Sequence, residues 1–591
     1  PWRVCRVGLH GSSNGLLITT ASGTRIAGLD HARSRTPFIT PERGSPFGVP
    51  SRLRKETLMK VQVRVNERGA LRNGRFAFTN KLTLVSELLQ NARRAGATHV
   101  SIQHDATARR LTVIDDGCGI DDFQRLLTFN ESGWDEDTIR TEHAFGLGFS
   151  KCLYAASRVT VTSRGQRLAF QCDDALDQAE LDVEPAADAD PGLTRVELEG
   201  ADLPQLDQLI DRITRGFPLP VVYNGVSQAR QHSLAVMPFT ATDIGQVHLW
   251  GTDSGEPATA SALYLQGLLV GSPDRHLHWE HQKVDVIHLD SALFMARMPD
   301  RTELIDAEEQ GKRIDDAVRQ LWRAILEERK HQLPPAEFVE RYYGIARRHN
   351  LLEVFDDVPV VPRQACSVVF DYPTTADEQE RYMQSPDSQP TREEVESGAI
   401  RLAAFSPYRK DESHATLMYA RAAGLTLVHT YLLGPEHWVT RNLRDLDEED
   451  IEVVAVGPGA EERLDGIFIC EQVKLCERIE IRHGSDVVTI SDDALFHDEA
   501  ILVPAGCTGG DAVKQVSAYT GEYDHFDDTA CDEDMRRLAR LVRTLRCPDP
   551  ASMLRCLLQE LPLNDHAALF GRTFRVALGA SADEASVDLV S

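Results

Sequence analysis

The chain has 591 residues, a formal net charge of −27 and 42% hydrophobic residues, a length that accommodates roughly three or four domains, each with a core. The acidic balance disfavours bulk binding to phosphate backbones or anionic membranes, leaving only a local basic groove open to nucleic acid. No apolar run is long enough to span a bilayer, so a soluble, cytoplasmic protein without membrane partners is expected.

The first 58 residues carry nine Arg/Lys against three Asp/Glu, with many Ser, Thr, Gly and Pro, and the first methionine is Met59. Two readings compete: an Arg-rich targeting segment, and a disordered or mis-started extension of residues 1–58. No clear amphipathic helix runs through it, which favours the second. The eleven cysteines form no C-x-x-C pair and no Cys/His zinc spacing, so reduced thiols, mostly small buried hydrophobes, are expected.

Residues 61–65 alternate as a strand does. Asn80 reads as an N-cap, and Leu82, Val85, Leu89 and Ala92 recur at helical spacing up to Gly96, which ends the helix. Two strands follow, at 99–104 and 111–114, then a short helix at 122–129. Residues 130–144 are polar and read as a loop. A second helix starts at Gly148, and strands are expected at 159–163, 168–172 and 194–198. Helices interleaved with meander strands indicate an α+β sandwich. From 218 to 333 the pattern is again α/β, with strands at 221–223, 246–250, 262–265 and 284–288. A long helix follows, with Ile314, Val318, Leu321 and Ile325 on one stripe. Residues 373–399 are acidic, contain three prolines and read as a linker. Beyond 400 the signal is mixed α/β, with strands at 451–456, 467–470 and 479–481 and a helix at 535–545.

Three short motifs carry the chemistry. In Glu87-Leu-Leu-Gln-Asn91 the spacing of four puts both side chains on one helical face. A carboxylate and an amide there can share one Mg²⁺-phosphate centre, with Asn91 supplying a neutral oxygen to the metal and Glu87 deprotonating the attacking water. Taken alone, such a pair is usually just solvated. Asp115-Asp-Gly117-Cys-Gly119 directly follows a strand. Its glycines let a ligand approach the backbone, and a carboxylate at Asp115 accepts from the exocyclic amine of adenine while repelling guanine's carbonyl. In isolation it would be an ordinary Asp-Gly turn. Phe145-Gly146-Leu147-Gly148-Phe149 opens a helix, where free backbone N–H groups and the helix dipole favour phosphate oxygens. It is not a P-loop, because no Gly-Lys-Ser/Thr follows.

The order of these motifs resembles the ATP site of the GHKL superfamily (the Hsp90, MutL, gyrase and histidine-kinase group). The stretch 143–164, HAFGLGFSKCLYAASRVTVTSR, is similar to Hsp90 in particular. The resemblance implies a Bergerat-type α/β sandwich over 59–215 that binds ATP and Mg²⁺. Asn91 would be the metal ligand, Glu87 the general base and Asp115 the adenine reader, assisted by Thr194. Gly117, Gly119 and Ile120 would form the nucleotide-facing turn, Phe145 to Phe149 the phosphate loop, and residues 121–144 a mobile lid. Glu131 stands before Ser132-Gly133 where the family pattern suggests a lysine. Residues 216–372 are similar to a transducer-type, ribosomal-protein-S5-like α/β domain, from which a basic residue would reach the γ-phosphate. Arg301 is the candidate; the alternative is a solvated Arg301 beside a helix cap at Asp300 or Thr302. Residues 340–591, including the C-terminal α/β domain expected at 400–591, resemble no named family.

The reading favoured by this resemblance is a slow, Mg²⁺-dependent ATPase. Its lid closure and dimerisation would act as a switch on protein partners, as in a chaperone. The alternatives are a DNA-handling ATPase of the MutL, MORC or topoisomerase type, a sensor histidine kinase, disfavoured because no phospho-acceptor helix pair precedes the site, and a non-hydrolysing nucleotide-binding module.

Overall fold

An eight-stranded sheet forms from segments scattered between residues 100 and 227, because its inner strands each have buried residues that only their neighbours can cover, while the two short edge strands are exposed. The computed structural model describes residues 62–591 apart from 77–79, 132, 143–145, 147, 271–282, 298–300, 373–381, 406–413, 447–449, 521–524, 560, 562–564 and 581–583. The N-terminal extension therefore lies outside the described residues, almost all of the short unit that ends at Val65. The second unit, Asn66–Ser591, is mixed α/β throughout.

It opens with helix α1 (Glu67–Asn73) and helix α2 (Thr83–Arg94). Strands β1 (Val100–Asp105) and β2 (Arg110–Asp115) form a hairpin. Helices α3 (Phe123–Leu127), α4 (Glu136–Glu142) and α5 (Ser150–Ala155) come next. Then follow β3 (Arg158–Ser163), β4 (Gln166–Gln171), helix α6 (Cys172–Leu176), β5 (Val183–Pro185), β6 (Thr194–Glu199) and helix α7 (Leu206–Thr214). The short strands β7 (Val221–Tyr223) and β8 (Val226–Ser227) complete the sheet, in the order β5-β4-β3-β6-β2-β1-β7-β8. All pairings are antiparallel except β1 with β7. The sheet thus runs past residue 215, because β7 has Val221 buried and an open edge of β1 to pair with.

Helix α2 is held by its apolar stripe. Leu84, Val85, Leu88, Leu89 and Ala92 pack with Val100, Ile102, Leu111, Val113, Val159 and Val161 in one core. The helix begins later than Asn80 because that side chain accepts from Leu82 N–H, at 3.1 Å, and closes a turn ahead of the helix. Residues 62–65 are not in a strand. Val63 and Val65 are exposed, and an alternating pattern without a partner edge forms no ladder. Helix α4 lies inside the stretch read as loop.

A second sheet has the order β12-β11-β13-β10-β9, built from β9 (Thr240–Thr242), β10 (Gly245–His248), β11 (Ala260–Leu265), β12 (Leu268–Leu269) and β13 (Val284–Leu289). Its central pair, β11 and β13, is parallel. Helix α8 (Ala307–Gln332) contributes Ile314, Val318, Trp322 and Leu326, and helix α9 (Pro335–Arg348) contributes Phe338, Val339 and Tyr342, to the core behind that sheet. Between β13 and α8 the chain makes a loop closed by a bridge between Ala296 and Leu304. Arg301 sits in it with φ 54°, its N–H donating to Arg297 O at 2.9 Å.

Downstream, Cys366–Val369 and Met383–Gln384 share one five-stranded sheet with Arg401–Phe405, Leu425–His429 and Arg444–Asp445. The acidic segment 373–399 is therefore bracketed by strands of a single sheet, and Arg392–Glu396 within it is a helix capped by a Thr391–Glu394 capping box. Further three- and four-stranded sheets lie between 451 and 504, and Asp528–Leu545 is the helix expected near 535–545, starting earlier. No helix among the described residues is long and apolar enough to cross a membrane.

Leu89 is fully buried where α2 meets the first sheet. Leu89→Ala should destabilise that part of the chain by about 2–5 kcal/mol. The check is urea denaturation followed by limited proteolysis of the 66–227 region, where an unchanged midpoint would contradict this packing.

Candidate functional site

Helix α2 turns Glu87, Asn91 and Arg94 to one face, opposite the stripe that anchors it to the sheet. That face borders a cavity of about 450 Å³, whose lining includes Glu87, Asn91, Arg94, Asp115, Gly119, Ile120, Gly146, Gly148, Phe149, Thr194 and Arg301. Segments far apart in sequence are brought together here, from α2 to the loop before α8. Phe145 and Leu147 lie outside the described residues, as does Asp300. Gly117 is not in the lining but packs beside it, where an added Cβ would lie 2.6 Å from Ala95 Cβ.

Glu87 is the electrostatic centre. Lys151 Nζ, on the first turn of α5, lies 3.3 Å from its Oε1, and Arg301 Nε lies 3.1 Å from the same oxygen. The side chains of Glu87, Lys151 and Arg301 are all at most 13% exposed. The tight approach of α5 needs glycine. A Cβ on Gly148 would come within 2.5 Å of Glu87 Oε2, and a Cβ on Gly146, where φ is +69°, within 2.3 Å of Glu131 O. One helical turn from Glu87, the Asn91 side-chain amide makes no hydrogen bond to another described residue and borders the cavity, so its oxygen is available to a ligand.

Helix α4 is tied into the same corner. Glu142 accepts from Arg93 Nη1 at 3.0 Å and from Arg94 Nε at 2.9 Å. Burial opposes its ionisation, but the hydrogen bonds from the two arginines outweigh this and hold its pKa low. The Gln266 side chain, in the β11–β12 turn, donates to Glu142 O at 3.0 Å, and Gln266 O accepts from Gln90 Nε2 at 2.8 Å. Around Glu87, Arg94 and Arg301 line the cavity, and Lys151, Arg93 and Glu142 stand just behind that lining; elsewhere the wall also carries Asp121, Asp122, Glu131 and Asp135. In a chain of net charge −27, the pairing of Arg94 and Arg301 on one wall gives an anionic group a local place to bind.

The opposite end is acidic. Asp115 ends β2 and faces Thr194 of β6 in register. Burial pushes its carboxyl pKa up; the Gly117 N–H at 3.0 Å pulls against that, and the neighbouring Asp116 charge adds to it. Asp116 instead turns to the loop before β1. It accepts from Thr98 N at 2.7 Å and His99 N at 3.1 Å, and those bonds together with Thr98 Oγ1 overcome the cost of burial and keep it strongly acidic. Asp116 thereby fixes the strand end from which Asp115 projects. Thr194 Oγ1 is 3.0 Å from Ser163 Oγ, which accepts the Ile120 N–H at 3.0 Å and so fastens the Gly119–Ile120 turn to the sheet.

Lys151, Arg94, Glu142 and Gln266 escape the motif reading. A signal existed for Arg94, which is seven residues after Glu87 and therefore on its face. For Lys151 only its place on the first turn after Gly148 hinted at inward projection.

Comparison with known proteins identifies the segment that carries this site. Residues 80–186 match the model of the family described as histidine kinase-, DNA gyrase B- and HSP90-like ATPases. No curated protein matches the chain. Among solved structures, the ATPase region of Saccharomyces cerevisiae topoisomerase II is similar with a TM-score of 0.28 and 10% identity, covering 38% of this chain and 77% of that one. The ATPase and transducer domains of topoisomerase II from Balamuthia mandrillaris give a TM-score of 0.24 and 16% identity, covering 32% and 59%.

The contact between Gly148 and Glu87 is open to a direct test. Gly148→Ala should cost about 1–3 kcal/mol of stability through overpacking. In a Glu87→Ala background, where the opposing oxygens are gone, most of that cost should vanish in a double-mutant cycle. Simple additivity in chemical denaturation would place the strain elsewhere.

Proposed function

We propose that this ATPase domain binds Mg²⁺-ATP in the cavity beside α2 and hydrolyses it slowly, using the downstream α/β segment as a nucleotide-sensitive switch on protein partners. The observation that carries the reading is the meeting of Glu87, Lys151 and Arg301 beside a cavity that also holds the half-buried Asp115. A purine with an exocyclic amine suits Asp115, and a polyphosphate suits the cationic end.

In this reading Asp115 accepts from the adenine amine, with Thr194 and the Gly117–Ile120 turn around it. The backbone at Gly146 and Gly148 and the start of α5 face the phosphates. Asn91 would hold Mg²⁺ together with phosphate oxygens, and the metal supplies positive charge against the charge that develops during transfer. Polyphosphate gives Lys151 and Arg301 a second anionic partner, which frees Glu87 to act as base. Water attacks the γ-phosphorus and its proton passes to Glu87. The bond to the β-phosphate oxygen breaks, and ADP leaves with that electron pair. Residues 121–144, α4 among them, act as the lid. The domain plan that goes with this reading is an ATP-binding unit over 59–215, a transducer-like unit over 216–372 and a C-terminal α/β region that meets the client. Homodimerisation would accompany closure.

Glu87→Ala should retain ATP binding and lose turnover by at least about a hundredfold; steady-state phosphate release that is unchanged would take Glu87 out of the mechanism. Arg301→Ala should lower turnover more than affinity if Arg301 acts chiefly in the transition state. A salt-dependent duplex-DNA binding assay separates the protein-directed reading from a DNA-handling one, since binding that weakens steeply with salt would favour the latter.

Asp115 also sets a pH dependence. Only its carboxylate accepts from adenine, and its folded pKa is raised above 3.8. Ionisation is then disfavoured in the fold, and affinity falls as pH drops through that raised value. The acid limb of ATP affinity against pH should lie above the ordinary aspartate value. Calorimetry on Asp115→Asn should show weak binding with that limb gone, whereas full affinity in this variant would overturn the adenine assignment.

A further inference from the structure

Arg94 has hydrogen-bonding capacity that the folded chain leaves unused. Its side chain is 3% exposed, yet the residue lines the cavity. Its Nε is committed to Glu142 Oε2 at 2.9 Å, while its Nη2 is buried without an acceptor. A buried guanidinium edge with no partner is costly. Glu142 does not relieve it: its oxygens accept from Arg93 and from Arg94 Nε, and neither oxygen is bonded to Nη2. Burial and the neighbouring Arg301 charge both oppose the Arg94 cation, which Glu142 and Glu87 only partly offset. An anion placed between Arg94 and Arg301, both of which line the cavity, would relieve both the missing acceptor and this repulsion.

Building on the ATP-site reading above, we propose that Arg94 is a further nucleotide-contacting residue, which offers its free Nη2 edge to a phosphate oxygen while its Nε holds helix α4 through Glu142. The phosphate chain is the fitting partner because a guanidinium only donates and pairs best with planar or tetrahedral oxyanions. The adenine amine is itself a donor and has Asp115 to meet it. Arg94 thus links ligand to lid, and the lid links onward. Glu142 O accepts from Gln266, whose own backbone oxygen is held by Gln90 and whose side-chain oxygen lies 3.5 Å from Arg301 Nη1.

The test is calorimetric titration of ATP, ADP and adenosine into the full chain, as wild type, Arg94→Ala, Arg94→Lys, Glu142→Gln and Asp115→Asn. Arg94→Ala should weaken ATP and ADP on the order of tenfold to a hundredfold and leave adenosine within about twofold. Glu142→Gln keeps the Arg94 cation, so ATP affinity should stay within a few-fold while hydrogen exchange across 136–142 speeds up. If Arg94→Ala does not fold, Arg94→Lys carries the test, since it keeps a charge but cannot serve Glu142 and a phosphate together; it should lose ATP affinity without losing adenosine. Equal loss of ATP affinity in Arg94→Ala and Glu142→Gln would overturn the contact and leave Arg94 acting only through the lid. Equal loss of ATP and adenosine in Arg94→Ala, or no loss at all, would overturn it too. A wild-type chain that binds neither ATP nor adenosine would remove the nucleotide-site reading itself, as would Asp115→Asn with undiminished adenosine affinity.

Discussion

The site depends on one buried carboxylate shared by two cations. Glu87 is nearly sealed from solvent and meets Lys151 from α5 and Arg301 from the loop before α8. Removing a lone buried carboxylate from water would be prohibitive, and only partners at close range make it tolerable. The interaction therefore fixes three separate pieces of chain at one point. Helix α2 is set by its apolar stripe against the first sheet, α5 is set by the glycine that lets it approach, and Arg301 is set by the bridged loop of the second sheet. If any of these shifts, the other two lose their electrostatic reason to be there.

The charge layout of the cavity runs against the charge of the whole chain. Arg94 and Arg301 gather around Glu87 at one part of its wall, while Asp115 marks another. Such polarity discriminates by orientation as well as by affinity, because a ligand with a neutral amine-bearing ring and an anionic tail fits one way round only. Asp116 shows that this is local design by neighbours and not by residue type. It stands next to Asp115 with the same chemistry, yet it is spent on the Thr98–His99 turn and kept strongly acidic by those N–H donors, whereas burial raises Asp115.

Much of this was legible in the sequence, and the reasons for the rest are physical. The α2 stripe, the β1–β2 pair and the strand that carries Thr194 announced themselves because one face of each is buried and the period is regular. Helix α4 did not, since its exposed polar surface leaves no apolar period and its hold on the fold comes from Glu142. The alternating segment at 62–65 had the right pattern but no edge to pair with. Val221–Tyr223 was read as the start of the next unit, and pairing with β1 places it in the first sheet; a three-residue strand carries too little pattern to reveal its partner. Motifs located Glu87, Asn91 and Asp115 because chemistry fixes their spacing along one element. Lys151, Gln266 and the Glu87–Arg301 contact are products of tertiary closure, which no spacing rule encodes.

What closure adds is conditionality. Gln266, at a tight turn with φ 54°, accepts from α2 through Gln90, donates to α4 through Glu142 O, and borders Arg301. A displacement of the second sheet relative to α2 would strain the α4 contact and the Arg301–Glu87 pair together, because Gln266 of the β11–β12 turn holds α4 and also borders Arg301. In the proposed hydrolysis the base is useful only when its cations have another anion to hold. The same contacts that mask Glu87 thus report whether the downstream segment is seated. In the proposed switch a fast chemical step is not needed, since the information would lie in which arrangement each ligand state stabilises.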